Sequence, residues 1–346
     1  MRWGFLGGLL GVAAVVLAGG TIYAWGAGWF WPCENLGLPF SGGACTKITS
    51  FDNRNVGTFT TLANGNLLVA TLAKGTERTD PIALVEVDTT TGAIIAETPL
   101  PGISLEARPA GITVSRDEKL VALSLYDERT KVITRDGTEV LSIDRWLPAF
   151  MAFDNKGWLL TDMGRHFDAP PDPDGAEAWD INNPASTPVA ASIADWSALF
   201  RHGVGAALSP DGDYFAQKLD QPHNSPVTGI RIGYIGDERD GGMFLGLNLR
   251  PDCSYATSEI SFSPFGPQVA AEFSCPERWG QTSTALAVWD YEENRQLLVL
   301  PGIDYFDTLH WESADTILVD RYNFGAETTD ILRVKVPGIE GALTAP

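Results

Sequence analysis

A short hairpin that recurs six times, a turn-forming core at each recurrence and a spacing of roughly 40 to 55 residues together predict an all-β chain built as a six-bladed β-propeller. The clearest copy is Gly203 to Gln217, two short apolar runs hinged on Ser209-Pro210-Asp211-Gly212. Proline presets φ for a turn and glycine accepts a positive φ, so a tight connection between two strands is expected there. Further copies turn at Arg116-Asp117-Glu118-Lys119, Asp154-Asn155-Lys156-Gly157 and Ser263-Pro264-Phe265-Gly266, and weaker ones at Ala63-Asn64-Gly65-Asn66 and Ser313-Ala314-Asp315.

With strands lettered a to d from the axis outward, blade one has Thr58 to Leu62, Leu67 to Thr71, Ala83 to Asp88 and Ile94 to Thr98. Its outer hairpin turns at Thr89-Thr90-Thr91-Gly92. The other blades cover about 108 to 144, 149 to 194, 203 to 248, 258 to 300 and 307 to 337. The last lacks a clear fourth strand, and the alternating run Cys45 to Phe51 is placed to supply it and close the ring. Closure removes the free sheet edges that invite aggregation. Seven blades is the alternative count, if blade one or the blade three region hides another.

The chain opens differently. Gly4 to Trp31 carries no charged residue and follows Arg2. At about 1.5 Å per residue it is long enough to cross a hydrocarbon core of about 30 Å. Trp25, Trp29, Phe30 and Trp31 crowd its far end, where an aromatic belt would sit. One N-terminal transmembrane helix, a signal-anchor over residues 1–32, is therefore expected ahead of a stalk at 33–45 and the propeller domain at 46–346. The charge bias sets the N-terminus in the cytoplasm and the propeller outside. A cleaved signal peptide is the competing reading, with small-residue sites at Val16-Leu17-Ala18 and Ile22-Tyr23-Ala24. Gly4/Gly8, Gly7/Gly11 and Ala14/Ala18 leave one helix face nearly bare, suited to packing against a helix of a membrane complex.

Four cysteines in an exported domain read as two disulfides, Cys33 with Cys45 across the stalk and Cys253 with Cys275 across the fifth hairpin. A metal site is the weaker reading, because no Cys-x-x-Cys or nearby His supplies further ligands. No Asn-x-Ser/Thr sequon occurs, which favours a bacterial periplasm, with the anchor in the inner membrane, over a glycosylating route. The formal net charge of −20 argues against nucleic-acid binding, since the summed field repels phosphates.

Ala287-Val288-Trp289-Asp290-Tyr291, followed by Gln296 to Gly302, resembles the third strand, turn and fourth strand of a WD40-type repeat. Ala178-Trp179-Asp180-Ile181 and His202 through Gly212 echo other parts of that pattern, and Ala83 to Gly102 is similar to bacterial YVTN-type repeats. Most blades lack the Gly-His and Trp-Asp pairs, so the structural roles of those residues do not carry over to every blade. The resemblance implies a propeller, commonly a binding scaffold, and no particular chemistry.

Loop length points to a working face. The a-b and c-d connections are mostly tight, whereas the b-c loops are long, so function is expected on the face that carries the b-c and d-a loops. The d-a loops hold Arg108, Arg145, Arg201, His202 and Arg250, and the b-c loops hold Arg78, Arg165, His166, His223 and Arg278. Against an acidic background these guanidinium groups would form an anion-binding mouth over the axis. The bland alternative pairs them with Glu106, Asp144, Asp195 and Asp252.

Catalytic patterns are absent: no Gly-x-Ser-x-Gly elbow, no His-Glu-x-x-His, no P-loop. Asp168, Asp172 and Asp174 share one loop, but prolines and a missing distal Glu spoil a Ca²⁺ pattern, leaving a solvated acidic loop. Trp158, Trp179, Trp289 and Trp311 fall at strand positions and are expected to pack between blades. The chain is thus expected to be an exported, membrane-anchored interaction scaffold for a protein partner, without a cofactor, as an accessory subunit of a membrane complex. The alternative is a propeller hydrolase or lactonase-like enzyme with a metal or an anionic substrate at the axial mouth.

Overall fold

The computed structural model describes residues 45–52, 54–73, 82–101, 103, 107, 109–126, 129–144, 151–162, 175–192, 202–204, 206–209, 211, 213–218, 229–234, 243–246, 254–276, 282–303, 308–323 and 328–336. They form strands in six antiparallel sheets. Blade one is β2 (Arg54–Thr61), β3 (Leu67–Ala73), β4 (Ile82–Val87) and β5 (Ile94–Leu100). Blade two is β6 (Pro109–Val114), β7 (Leu120–Leu125), β8 (Arg129–Thr134) and β9 (Glu139–Asp144). Blade three is β10 (Met151–Phe153), β11 (Trp158–Asp162), β12 (Ala176–Asp180) and β13 (Val189–Ala191). Blade four is β15 (Ala206–Leu208), β16 (Tyr214–Lys218), β17 (Gly229–Tyr234) and β18 (Met243–Gly246). Blade five is β19 (Ser254–Phe262), β20 (Gln268–Pro276), β21 (Thr282–Asp290) and β22 (Arg295–Ile303), with β14 (His202–Val204) added at its inner edge. Blade six is β23 (Leu309–Ser313), β24 (Thr316–Asn323) and β25 (Thr328–Lys335), completed by β1 (Cys45–Asp52).

The a-b hairpins close where their turn residues demand it. Gly65 and Gly157 take φ of 85° and 81°, and Glu118 takes 57° in the turn without a glycine. In blades two, four and six a Ser-x-Asp clasp ties the turn: Ser115 Oγ donates to Asp117 at 2.8 Å, Ser209 Oγ to Asp211 at 2.5 Å and Ser313 Oγ to Asp315 at 2.8 Å. The outer hairpins of blades one, three and five use the aspartate that ends strand c. Asp88 accepts from the Thr90 amide, Asp180 from Asn182 and Asp290 from Glu293.

Six apolar clusters hold the blades together, each shared by two neighbours. Leu68, Leu84 and Leu100 of blade one pack with Ile112, Val121 and Leu123 of blade two. Val132 and Ile143 meet Phe153 and Leu159. Leu160 and Ala176 meet Leu208 and Phe215. Ile230, Ile232 and Leu245 meet Phe262, Phe273 and Trp289. Val288 and Leu300 meet Trp311 and Val319. Leu318 and Ile331 of blade six, with Phe51 of β1, meet Phe59 and Val69 of blade one, which completes the circle. Six blades, not seven, result. Trp289 and Trp311 are buried at these seams as expected, their indole N–H groups donating to the Gly246 carbonyl in blade four and the Ser261 carbonyl in blade five.

The ring closes as the sequence leads one to expect. β1 pairs along β25 from Cys45 opposite Val334 to Asp52 opposite Thr328. Cys45, expected in the stalk, begins this strand and is disulfide-bonded. Residues 1–44 and Cys253 lie outside the described residues, so neither the membrane segment nor the two cysteine pairings are described. No helix among the described residues is long and apolar enough to cross a membrane.

One sequence-based expectation is corrected. Gly203 to Leu208 does not form one inner strand of blade four. His202, Gly203 and Val204 pair with Ser261, Ile260 and Glu259 of blade five, whereas Ala206, Ala207 and Leu208 pair with Gln217, Ala216 and Phe215 of blade four. The apolar run was continuous in hydropathy, but its two halves satisfy their backbone groups on different sheets.

Candidate functional site

The a strands of adjacent blades touch: β2 with β6, β6 with β10, β15 with β19 and β19 with β23. They therefore surround the axis. β14 lies inside this circle, bonded to β19 on one side and approaching β6 of blade two on the other. Blades two and five face one another across a ring of six. A segment that touches both occupies the axial channel.

Beside this inserted strand lies a set of buried carboxyls. Glu259 sits on β19 opposite Val204 of β14, Glu272 is on the neighbouring β20, and Asp320 is on β24 of blade six. They are 6%, 0% and 3% exposed. Ile260 pairs with Ala271, and Glu259 and Glu272 are their neighbours along the two adjacent strands. Asp320 accepts a hydrogen bond of 2.7 Å from the Thr308 amide, at the entry to β23. Burial, then the charges of Glu272 and Asp320, holds the Glu259 carboxyl well above the usual carboxylate range. Next to it Arg321 reaches Asp330 at 3.4 Å, both buried, and Ser50 of the closing strand donates to the same carboxylate.

Glu259, Glu272 and Asp320 lie within the a and b strands, Asp330 on the c strand of blade six and Ser50 on the closing strand, so the group sits between the two loop faces. Sequence reading missed them. Glu259 and Glu272 stand at the polar positions of alternating strands, in Ser-Glu-Ile-Ser-Phe and Ala-Ala-Glu-Phe, and Asp320 follows the apolar run Ile-Leu-Val. No group of three or more His, Cys, Asp or Glu with the geometry to hold a metal ion occurs among the described residues.

The expected anion mouth is not described. Arg108, Arg145, Arg201 and Arg250 lie outside the described residues, as do Arg78, Arg165, His166, His223 and Arg278, and so do Asp168, Asp172 and Asp174. His202 is described by its backbone only, in β14 on the axis. His310 is half-buried at the seam between blades six and one, its Nε2 2.8 Å from Thr61 Oγ1.

No family model matches the chain. No curated protein matches it either. Among solved structures the chain is similar to the β-propeller domain of Cps50 (Swd1) from Myceliophteria thermophila, at 10% identity and a TM-score of 0.44, covering 84% of this chain and 100% of that one. It is also similar to the WD40 repeats of RRP9, at 10% identity and a TM-score of 0.49, covering 85% of this chain and 97% of that one.

Proposed function

We propose that this chain is an exported, membrane-tethered propeller that docks a protein partner, as an accessory subunit of a membrane complex. The observation that carries this reading is the strand in the channel. With β14 between blades five and two, the axial space in which a small substrate would be held is taken by the chain itself. The two loop faces remain as surfaces for a partner. The disulfide at Cys45 supports an oxidising compartment, and the uncharged Gly4 to Trp31 stretch supports the tether.

The test is purification of the tagged full-length chain from membranes in mild detergent, with mass spectrometry of what remains bound. A stoichiometric membrane-protein partner is expected. Recovery of the chain alone, in the soluble fraction and beginning near Gly19 or Trp25, would overturn both tether and complex. Charge reversal of Arg201 and Arg250 then asks whether the b-c/d-a face takes part. Loss of a buried charged contact costs about 2–5 kcal/mol of binding, against under about 1 kcal/mol for an exposed pair.

A further inference from the structure

The opposite face carries a feature that the loop-length argument passes over. Where blades four and five meet, three tyrosines from separate turns form a continuous aromatic group. Tyr214 follows the a-b turn of blade four, Tyr234 ends β17 and Tyr291 opens the c-d turn of blade five. The Tyr214 and Tyr234 rings are 4.7 Å apart between centroids, and Tyr214 and Tyr291 5.5 Å. Tyr291 in turn meets the buried Phe262 edge-on at 5.3 Å. The Tyr291 amide donates to the Pro267 carbonyl, which brings the Phe265 turn alongside. Tyr234 and Phe265 are 57% and 46% exposed, so the group has a buried root and an open top.

Its charge is one-sided. Asp211 and Asp213 flank Tyr214, and Asp290, Glu292 and Glu293 surround Tyr291. Arg295 is the one cation of these two turns among the described residues, and it is spent on Glu293 at 2.9 Å. The matching turns of blade two carry Arg116, Lys119 and Arg135 beside their acids. Hydrogen bonding to the Tyr234 phenol, then burial, pushes the Tyr214 hydroxyl up to about 12.

We propose that the Tyr214–Tyr234–Tyr291–Phe265 patch is a docking site for an Arg- or Lys-bearing segment of a protein partner, which stacks its cationic groups on the rings between the flanking carboxylates. Aromatic faces attract cations electrostatically, and exposed carboxylates steer them in. A second copy of this chain is a poor occupant, because its own net charge is −20. The proposal rests on the interaction reading above and names the surface and chemistry of the partner.

The probe is a fluorescent dodecapeptide of alternating Arg and Gly, titrated against the full-length protein in detergent, with a Glu/Gly peptide as control. Binding of the Arg peptide alone is expected, weakening as salt rises. Tyr234→Ala, which changes no charge, should weaken it about fivefold, and Tyr234→Ala with Phe265→Ser more than tenfold. Ile95→Ser, an exposed apolar site on the outer strand of blade one, should leave it unchanged. If the charge-neutral Tyr234→Ala has no effect, attraction is only to net charge and the patch is refuted. If Ile95→Ser weakens binding as much, or if the Glu peptide binds equally, the proposal also falls. The double variant separates this inference from the broader one: unchanged recovery of the membrane partner refutes the patch alone, whereas failure of the wild type to recover any partner refutes the interaction reading.

Discussion

Two strands of this propeller leave their own place in the chain to join a distant sheet, and they do so in opposite ways. β1 adds to the outer edge of blade six, fills a position that was vacant and is anchored by Phe51, 2% exposed, in the seam with blade one. Thr49 adds a 2.9 Å hydrogen bond to the Gly92 carbonyl of blade one, and Lys47 and Ser50 both reach Asp330. β14 adds to the inner edge of blade five, where all four positions are already filled, and holds by three residue pairs. The first donation builds the fold. The second changes what the fold can contain.

The largest expected effect falls on the closing strand. Phe51→Ala removes a large buried side chain where blade six meets blade one and should cost about 3–5 kcal/mol in denaturant unfolding. A loss under about 1 kcal/mol would mean that β1 is an ornament on a ring already closed. Val204→Pro removes a ladder N–H from β14 and should cost about 1–3 kcal/mol. Its sharper readout is hydrogen exchange: amides of β19 near Glu259 and Ser261 should lose protection while β25 keeps its own. Equal loss in both strands would show that the insertion and the closure are one cooperative unit.

A smaller effect, and a more discriminating one, comes from pH. Glu259, beside β14, is held above the ordinary carboxyl value of 4.5, so the folded state keeps a proton that the unfolded chain gives up. Its contribution is full below that value and is lost as pH rises toward the raised folded value. Asp315, in the blade six hairpin, is pulled down from 3.8 to about 2 by hydrogen bonds from Lys335 and Ser313. Its contribution is present above 3.8 and lost as pH falls toward 2. Acid should therefore loosen the β23–β24 turn, and a rise of pH above 4.5 the β14 side. Glu259→Gln should flatten the fall of stability above pH 4.5 and leave the acid limb unchanged; an unaltered fall would assign the loss to other groups.

The same contrast explains what the sequence made legible. Turn residues act locally, so Ser115-Arg116-Asp117, Ser209-Pro210-Asp211 and Asp154 to Gly157 announced their hairpins, and counting them led to six blades. β1 was legible because blade six was one strand short. β14 was not, because Gly203 to Leu208 reads as one apolar run and no repeat count asks for a fifth strand. The buried carboxyls were missed for a related reason. Glu259 and Glu272 stand at polar positions of an alternating pattern, which ordinarily face water; their burial depends on what the other sheets place around them. The tyrosine patch comes from three turns far apart in sequence, each unremarkable alone.

β1 also fixes an order of events. Ser50 and Asp330 are 280 positions apart, so β1 must wait for β25 to be made. Bringing such distant segments together costs about 5 kcal/mol of chain entropy, and topologies that depend on remote pairing assemble slowly. Until β25 arrives, β1 has no sheet to join and blade one keeps an uncovered flank. The propeller's closing contact is made only after blades one to five and most of blade six have been made.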